Sequence, residues 1–282
     1  MKKEYLRGMY YMLSPSLRLL VRKIYYLPID LYESLIDKRE KYEPKKGDIY
    51  IGSGDFISQG KHHLNLLKKY TNLKESDSVL DIGSGIGRTA VALTKYLNIN
   101  ARYEGFDVVE KGVKWCNSKI KKDLPNFNFI YVPLNNDLYN TSYEKADSFK
   151  FPYEDGVFDV VFLFSVFTHM GISEIDNYFG EIERVLKPKG KCLATFFLYT
   201  SEKEEETSII EGFSFPIKKD GYRLMDKDVT SANIAIEINC LKEMIVANNL
   251  KLASIKDGIW KDEISNIKSI SNEYQDIVIL EK

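Results

Sequence analysis

The stretch VLDIGSGIGR, residues 79–88, decides the fold. Its first half is mostly apolar, as in a buried strand, and three alternating glycines fill its second half. Glycines at this place let the backbone turn tightly and approach a ligand with no Cβ in the way. The dinucleotide fingerprint G-x-G-x-x-G would require glycine where this chain has Arg88. The acid that precedes the glycines, Asp81, suits a ligand with an amino group better than a pyrophosphate.

A second acid follows this loop at the distance that doubly wound folds use. Asp107 lies 20 residues after Gly87, near the end of a predicted strand over 101–109. In such folds a carboxylate in this position binds the hydroxyl groups of a ribose. The two acids and the glycines together therefore predict a nucleoside ligand without a pyrophosphate.

Strands and helices alternate from about residue 75 to residue 199, which is typical of a parallel sheet with helices on both faces. Ser173 is the expected cap of the helix over 175–186, and Pro188 and Gly190 are its expected end. The other predicted helices cover 88–97 and 110–121, and the predicted strands cover 78–82, 101–109, 127–132, 158–164 and 192–198.

The rest of the chain has different patterns. Residues 200–236 lack clear periodicity and look like an insertion; a helix near 235–249 and strands over 250–260 and 274–280 follow. We therefore predict an α/β, doubly wound, Rossmann-like fold, with a seven-stranded, mostly parallel sheet and an antiparallel C-terminal hairpin. The predicted domain spans residues 46–282, and residues 1–45 form an N-terminal helical arm.

Taken together, these motifs resemble those of class I S-adenosylmethionine-dependent methyltransferases. Besides residues 79–88, the matching segments are 105–107, 151–153 with 158–161, and 184–190. They cover about residues 75–199, and the two late strands fit the hairpin with which that family closes its sheet. The resemblance implies S-adenosyl-L-methionine as the cofactor and methyl transfer as the reaction.

The resemblance also implies residues for the methionine end of the cofactor. Gly83, Ser84 and Gly85 would line the methionine part. Asp81 would lie at the entrance of the loop, near the amino group. A capping role for Asp81 in its own turn is the structural alternative.

The nucleoside end is implied in the same way. Asp107 would bind the ribose hydroxyls, and Val108 would flank the adenine. Family members carry a polar or acidic residue near the adenine as well. Asp137 and the pair Asp147 and Ser148 are the candidates for that place.

Three further segments, 52–56, 165–170 and 274–278, resemble a bacterial subgroup whose members are associated with polysaccharide or glycolipid modification. This resemblance implies a small-molecule, saccharide or lipid-linked hydroxyl as the methyl acceptor. The Asn/Asp/Ser-Pro-Pro-Tyr motif of amino-methylating enzymes is absent after the fourth strand, which disfavours adenine or glutamine nitrogen.

One histidine is the candidate catalytic residue. His169 follows the fourth strand, at the edge where doubly wound folds place their active site. A histidine titrates near neutral pH, so it could remove the proton of an attacking hydroxyl. A loop histidine satisfied by backbone hydrogen bonds is an equally weighted alternative. His62 and His63, in a predicted helix over 61–70, are more simply structural.

Composition excludes several classes of protein. The 282 residues include 40 basic and 41 acidic side chains, a formal net charge of −1, so a dedicated nucleic-acid binder is not expected. Three distant cysteines without a CxxC pair, and three histidines, predict neither a metal site nor a disulfide framework. No run of 18 apolar residues occurs, so we expect a cytoplasmic protein without a transmembrane helix.

The N-terminal arm allows two interpretations. A helix is predicted to start at Ser14, with apolar residues on one face over 14–27. This face packs on the core in the first interpretation. In the second it binds a membrane surface and holds the protein peripherally at the inner membrane, since residues 1–30 carry six basic and two acidic side chains.

The favoured function is methyl transfer. A non-catalytic S-adenosylmethionine-binding sensor or scaffold would keep the same glycine loop, and Asp81 and Asp107 do not separate the two. A nicotinamide-dependent dehydrogenase is disfavoured by Arg88.

Overall fold

The computed structural model describes residues 14–52, 54–136, 142, 144–207, 214–263 and 273–282. In chain order its strands are β1 Ser78–Ile82, β2 Arg102–Asp107, β3 Phe127–Tyr131, β4 Phe158–Leu163, β5 Leu186–Phe196, β6 Leu198–Tyr199, β7 Ile217–Lys218, β8 Tyr222–Leu224, β9 Ile234–Glu237, β10 Lys251–Lys256 and β11 Asp276–Glu281. Its α-helices are α1 Pro15–Leu35, α2 Phe56–Thr71, α3 Arg88–Leu93, α4 Glu110–Cys116, α5 Ile172–Val185, α6 Glu204–Thr207 and α7 Ile238–Ala247.

The central sheet has seven strands in the order β10-β11-β5-β4-β1-β2-β3. Strands β1 to β5 are parallel, and β11 runs antiparallel between β5 and β10. The predicted doubly wound fold with an antiparallel C-terminal hairpin is therefore confirmed. The strand order reverses between β1 and β4, since β2 and β3 lie on one side of β1 and β4 and β5 lie on the other. Such a reversal opens a crevice at the carboxyl ends of the strands.

The start of α5 differs from the prediction. Ser173 is not the cap, because the helix begins at Ile172 and Gly171 is its N-cap. The backbone N–H of Gly171 donates to the Glu174 carboxylate at 2.7 Å, which satisfies a donor at this end of the helix.

The end of α5 was also predicted wrongly. The chain passes from the helix into β5 at Leu186, so Pro188 and Gly190 belong to the strand rather than to a turn before it. The early start follows from pairing with β4, in which Leu186 is the partner of Phe158. Antiparallel pairing with β11 begins later. The ladder runs from Lys191 to Phe196, and the carbonyl of Gly190 extends it by accepting the Lys282 N–H at 3.1 Å.

The predicted insertion and the residues beside it form a second sheet. Strands β6 to β9 form it in the order β6-β9-β8-β7, and the strands are too short to show a sequence pattern. A small apolar cluster that includes Phe197, Phe215 and Trp260 packs there. The buried carboxylate of Asp276 joins the two sheets, since it accepts the Leu198 N–H at 2.7 Å and the Trp260 indole N–H at 2.8 Å.

The apolar face of helix α1 points outward, and part of its polar face is buried. Ser14 caps the helix, as predicted. However, Ile24 and Leu27 of its apolar stripe are exposed, whereas Asp30 and Glu33 are buried. The interpretation in which this stripe packs on the core is therefore wrong. Among the described residues, no helix has the length and apolar character that crossing a membrane requires.

Candidate active site

A cavity of about 560 Å³ opens at the carboxyl ends of β1, β2 and β4. This size is within the usual range for small-molecule sites. The cavity brings together residues that are far apart in the sequence. The predicted site residues in its wall are Asp81, Gly83, Ser84, Asp107, Val108 and His169.

The glycine loop has the backbone shape that only glycine adopts readily. Gly83, Gly85 and Gly87 have φ angles of 75°, 57° and 80°. A Cβ on Gly83 would lie 2.4 Å from Cγ2 of Val166, so the loop approaches the opposite wall closely. The Ser84 hydroxyl is buried in this loop and makes no hydrogen bond to the residues that the structure describes. An orphaned hydroxyl of this kind fits a site that binds a polar ligand.

Asp107 links the end of β2 to the glycine loop. Its buried carboxylate accepts the N–H groups of Gly85 and Val109, each at 2.7 Å. Gly85 itself stays behind the cavity surface and contributes through this bond. Burial raises the pKa of Asp107 to about 6. A ligand hydroxyl that donates to the carboxylate would stabilise its ionised form.

Asp81 lies at the end of β1 and is also buried. Its carboxylate accepts the hydroxyl of Tyr103 at 2.7 Å. Burial is the main reason that the pKa of Asp81 rises to about 7, and the nearby charge of Asp107 contributes to the rise. A positively charged ligand group near Asp81 would reverse this rise, because it favours the carboxylate.

Of the residues predicted to lie near the adenine, only some lie in the cavity wall. Val108 lines the cavity beside Asp107. Asp147 and Ser148 are exposed, and their neighbour Ala146 lines the cavity instead. Asp137 lies outside the described residues. The structure therefore does not bring Asp147 and Ser148 into the site.

These features fit S-adenosyl-L-methionine. Buried carboxylates stand at the ends of two adjacent strands, where they can meet an amino group and a ribose. The cradle at Gly83 leaves no room for a side chain. No group of three potential ligands that could hold a metal ion occurs in the part of the chain that the structure describes.

His169 also lines the cavity, in the helical turn Phe167–His169 after β4. Its Nδ1 lies 2.7 Å from the carbonyl oxygen of Ser231. A carbonyl only accepts, so Nδ1 carries the proton, and in the neutral ring Nε2 carries the lone pair. The backbone carbonyl thus orients the ring in the tautomer that a base requires.

The segment before His169 is strained. Ser165 has a φ of 58°, which is unusual for a residue other than glycine. Its N–H donates to the Thr195 hydroxyl at 2.8 Å, and its own hydroxyl donates to Gln275 at 2.9 Å. Strain of this kind concentrates at functional sites. The predicted segments 52–56, 165–170 and 274–278 all contribute residues to this cavity.

Sequence reasoning missed the part of His63 in the site. The ring of His63 stacks on Phe164 at 3.8 Å, and its Nδ1 lies 2.8 Å from the Thr89 hydroxyl. Burial lowers the pKa of His63 to about 3, and the charge of Arg88 adds to this effect. His63 is therefore a neutral wall of the cavity. No sequence signal identified it, because Phe164 is about 100 positions away.

The remaining wall is rich in polar groups. Side chains with amide or carboxylate groups contribute, namely Gln59, Asn135, Asn136, Glu174, Asn233, Glu273 and Gln275. Of these residues, only Asn135 and Asn136 were predictable from the sequence, because they follow β3 and the ends of the strands face the crevice. Arg88 supports this side by donating to the Ile51 carbonyl at 2.5 Å.

Comparisons with known proteins agree with this geometry. A protein-family model described as a methyltransferase domain matches residues 80–194. The chain is 27% identical over 145 residues to a ubiquinone/menaquinone biosynthesis C-methyltransferase of Wigglesworthia glossinidia brevipalpis, covering 51% of this chain and 52% of that protein. It is 27% identical over 171 residues to a sterol 24-C-methyltransferase of Schizosaccharomyces pombe, covering 60% and 39%.

A third relative is phosphoethanolamine N-methyltransferase 2 of Caenorhabditis elegans, 25% identical over 145 residues, with coverage of 51% and 29%. The chain thus spans about half or less of the length of these relatives. Among solved structures, the PH0226 protein of Pyrococcus horikoshii OT3 has a TM-score of 0.53 at 19% identity, covering 83% of this chain and 94% of that one. The cyclase SpnF has a TM-score of 0.52 at 16% identity, covering 94% and 95%. At these identities the likeness shows the fold.

The fold, the glycine loop and the family match agree with one another: residues 80–194, fewer than half of the chain, match a methyltransferase domain, and the cavity beside them fits S-adenosyl-L-methionine.

Proposed function

We propose that the protein methylates a hydroxyl group of a small, hydroxyl-rich acceptor such as a saccharide or glycolipid. The single observation that supports this most is the fixed tautomer of His169 at the cavity wall. A hydroxyl must lose its proton on becoming an ether, whereas the lone pair of an unprotonated amine can attack the methyl group without a base. A base with a lone pair at Nε2 serves that reaction.

In this proposal the domain covers residues 46–282 and residues 1–45 are its arm. Asp81, Gly83 and Ser84 hold the methionine end of the cofactor, with Gly85 supporting the loop. Asp107 and Val108 hold the nucleoside end. When bound, the cofactor supplies a methyl group on a positively charged sulfur, and its transfer to oxygen leaves S-adenosylhomocysteine.

The protein's own residues then have two tasks. The walls position the acceptor oxygen against the methyl group, and positioning of this kind supplies much of the rate of such a reaction. His169 takes the hydroxyl proton at Nε2 while Nδ1–H stays bonded to the Ser231 carbonyl. The resulting imidazolium is stabilised by that bond, because a charged donor makes a stronger hydrogen bond.

The polar wall supports a hydroxyl-rich acceptor. Amide groups of Asn135, Asn136 and Asn233 both donate and accept, which matches the hydroxyl groups of a sugar. Phe197 and Tyr274 add apolar rings to the same wall. The resemblance of three wall segments to the polysaccharide and glycolipid subgroup points the same way.

The relatives do not decide the acceptor atom. Two are named for methylation of carbon in quinone or sterol synthesis, and one for methylation of nitrogen in phosphoethanolamine. They support a small-molecule acceptor. The oxygen is inferred here from His169 and the polar wall.

The test measures release of S-adenosylhomocysteine by the full chain with three groups of acceptor. These are saccharides and glycolipids, quinones and sterols, and amines such as phosphoethanolamine. We expect turnover with the first group. Turnover with quinones, sterols or amines alone would contradict the proposed hydroxyl acceptor. Tight cofactor binding without turnover on any acceptor would support a non-catalytic sensor or scaffold instead.

A further inference from the structure

Helix α1 carries an apolar surface that nothing in the described chain covers. The exposed residues recur every three or four positions, so they form one stripe along the helix. Leu35 is 85% exposed, Ile24 is 64% exposed and Leu31 is 56% exposed. This outer stripe consists of Leu20, Val21, Ile24, Leu27, Leu31 and Leu35. An apolar surface of this extent marks an interaction site.

The opposite face of α1 fixes the orientation of the helix. The buried carboxylate of Asp30 accepts the N–H of Lys46 at 2.7 Å and of Gly47 at 2.9 Å. Glu33 accepts the Lys46 ammonium at 2.6 Å. Rolling the stripe inward would break these bonds and leave the N–H groups of Lys46 and Gly47 without their acceptor, facing apolar side chains, which is costly. The stripe therefore faces outward as part of the folded structure.

Charge and side-chain type indicate what covers the stripe. Residues 1–30 contain six basic and two acidic side chains. On the helix itself Arg18 is buried, whereas Lys23 lies beside the stripe with half of its side chain exposed and forms an ion pair with Asp48 at 3.4 Å. Tyr25 and Tyr32 are exposed along one edge of the stripe, and tyrosine favours the level of lipid headgroups. Apolar residues flanked by basic and aromatic ones are typical of helices that lie in an anionic membrane surface.

We propose that α1 lies in the surface of an anionic lipid bilayer and attaches the protein to it. The helix has 21 residues, so about 30 Å of it can lie in the plane of the bilayer. Its apolar stripe enters the acyl boundary, and exposed basic residues such as Lys23 meet the negative headgroups.

The attachment holds the cavity near the same surface. The polar face of α1 contacts the segment Lys46–Asp48, and two residues later the chain reaches Tyr50 and Ile51 in the cavity wall. Asp48 is also tied to α4 by the Lys111 ammonium at 2.6 Å. The acceptor is then a hydroxyl presented by a lipid-carried molecule. This last step rests on the proposed function, whereas the membrane attachment does not.

The test is sedimentation of the full chain with vesicles of phosphatidylcholine, with and without phosphatidylglycerol. We expect binding to the anionic vesicles that weakens as salt is raised. The double variant Ile24→Glu with Leu31→Glu should reduce this binding at least about tenfold, since it removes two apolar side chains from the stripe. The matched control is Ile99→Glu with Val246→Glu, at exposed apolar positions outside α1, and it should bind like the wild type.

Equal binding by the stripe variant and the wild type, or absence of wild-type binding, would overturn the proposal. A wild-type dimer that the stripe variant converts to a monomer, without vesicle binding, would also overturn it, because a second copy would then cover the stripe. The affinity for S-adenosylhomocysteine should be the same in all these proteins. That affinity and turnover on soluble acceptors test the proposed function separately from membrane attachment.

Discussion

Replacing Asp107 with alanine tests the binding of the nucleoside most specifically. The carboxylate of Asp107 accepts two backbone N–H groups, from Gly85 and Val109, each at 2.7 Å. It therefore supports the glycine loop and, in the proposed site, the ribose hydroxyls. The variant removes both functions, and they can be measured separately as stability and as affinity.

The expected magnitudes follow from these bonds. Each buried N–H that loses its partner costs about 1–3 kcal/mol, so the free energy of unfolding should fall by about 2–6 kcal/mol. Loss of a hydrogen bond between a ligand hydroxyl and a charged group costs about 1.5–3 kcal/mol. The affinity for S-adenosylhomocysteine should therefore fall by more than about tenfold.

Calorimetric titration with S-adenosylhomocysteine gives the affinity, and denaturant unfolding gives the stability. The matched control is Asp159→Ala, because Asp159 also accepts a backbone N–H, that of Ser78 at 2.9 Å, but does not line the cavity. The control should lose stability and keep its affinity. Wild-type affinity in Asp107→Ala, or an equal loss of affinity in both variants, would refute the assignment of the ribose site.

Three further predictions concern the loop, the buried histidine and pH. Gly83→Ala and Gly156→Ala both place alanine at a positive φ, 75° and 65°, which costs about 1–2 kcal/mol. Of the two, only a Cβ on Gly83 would meet a neighbour, since it would lie 2.4 Å from Val166. In urea unfolding, Gly83→Ala should therefore lose about 1–3 kcal/mol more stability than Gly156→Ala. Equal losses of stability would contradict the close contact between Gly83 and Val166. The folded pKa of His63, about 3, lies below its ordinary 6.5, so below pH 6.5 the unfolded state binds the extra proton. The contribution of this residue to stability then falls by about 1.4 kcal/mol per pH unit, and His63→Asn should show a correspondingly shallower loss of stability on acidification. Because burial raises the pKa of Asp107 to about 6, affinity for S-adenosylhomocysteine should rise with pH through about 6, and a flat profile would contradict ribose binding by its carboxylate.

The central sheet and the glycine loop were predictable because their signals are local. An apolar strand, a glycine turn and a helix follow one another within residues 79–88, and Asp107 stands at a fixed distance from them. Parallel pairing then brings the ends of β1 and β2 together whatever the rest of the chain does. The positions of Asp81 and Asp107 in the cavity follow from this pairing.

The acceptor side was less predictable because its contacts join distant parts of the chain. The tautomer of His169 depends on the Ser231 carbonyl, 62 positions later and in a region without periodicity. The neutral state of His63 depends on Phe164 and on burial. Asp147 has the acidic side chain that the family resemblance implies near the adenine, but it is exposed outside the cavity.

Helix α1 shows a further limit of periodicity. The spacing of its apolar residues indicated correctly that they share one face, but spacing does not tell which way a face points. The direction is set by Asp30 and Glu33, whose partners lie on Lys46 and Gly47 beyond the helix. A pair of acids on the face opposite an apolar stripe was the signal available in the sequence.

The most direct test of the central claim is the turnover number of His169→Asn with the best acceptor from the panel, measured beside its affinity for S-adenosylhomocysteine. A general base contributes about 10²–10⁴-fold to rate, so the turnover number should fall by at least about a hundredfold. The affinity should stay at the wild-type value, since in the proposed site the cofactor is held by the glycine loop and the two acids. A wild-type turnover number in the variant would contradict methylation of a hydroxyl with His169 as its base.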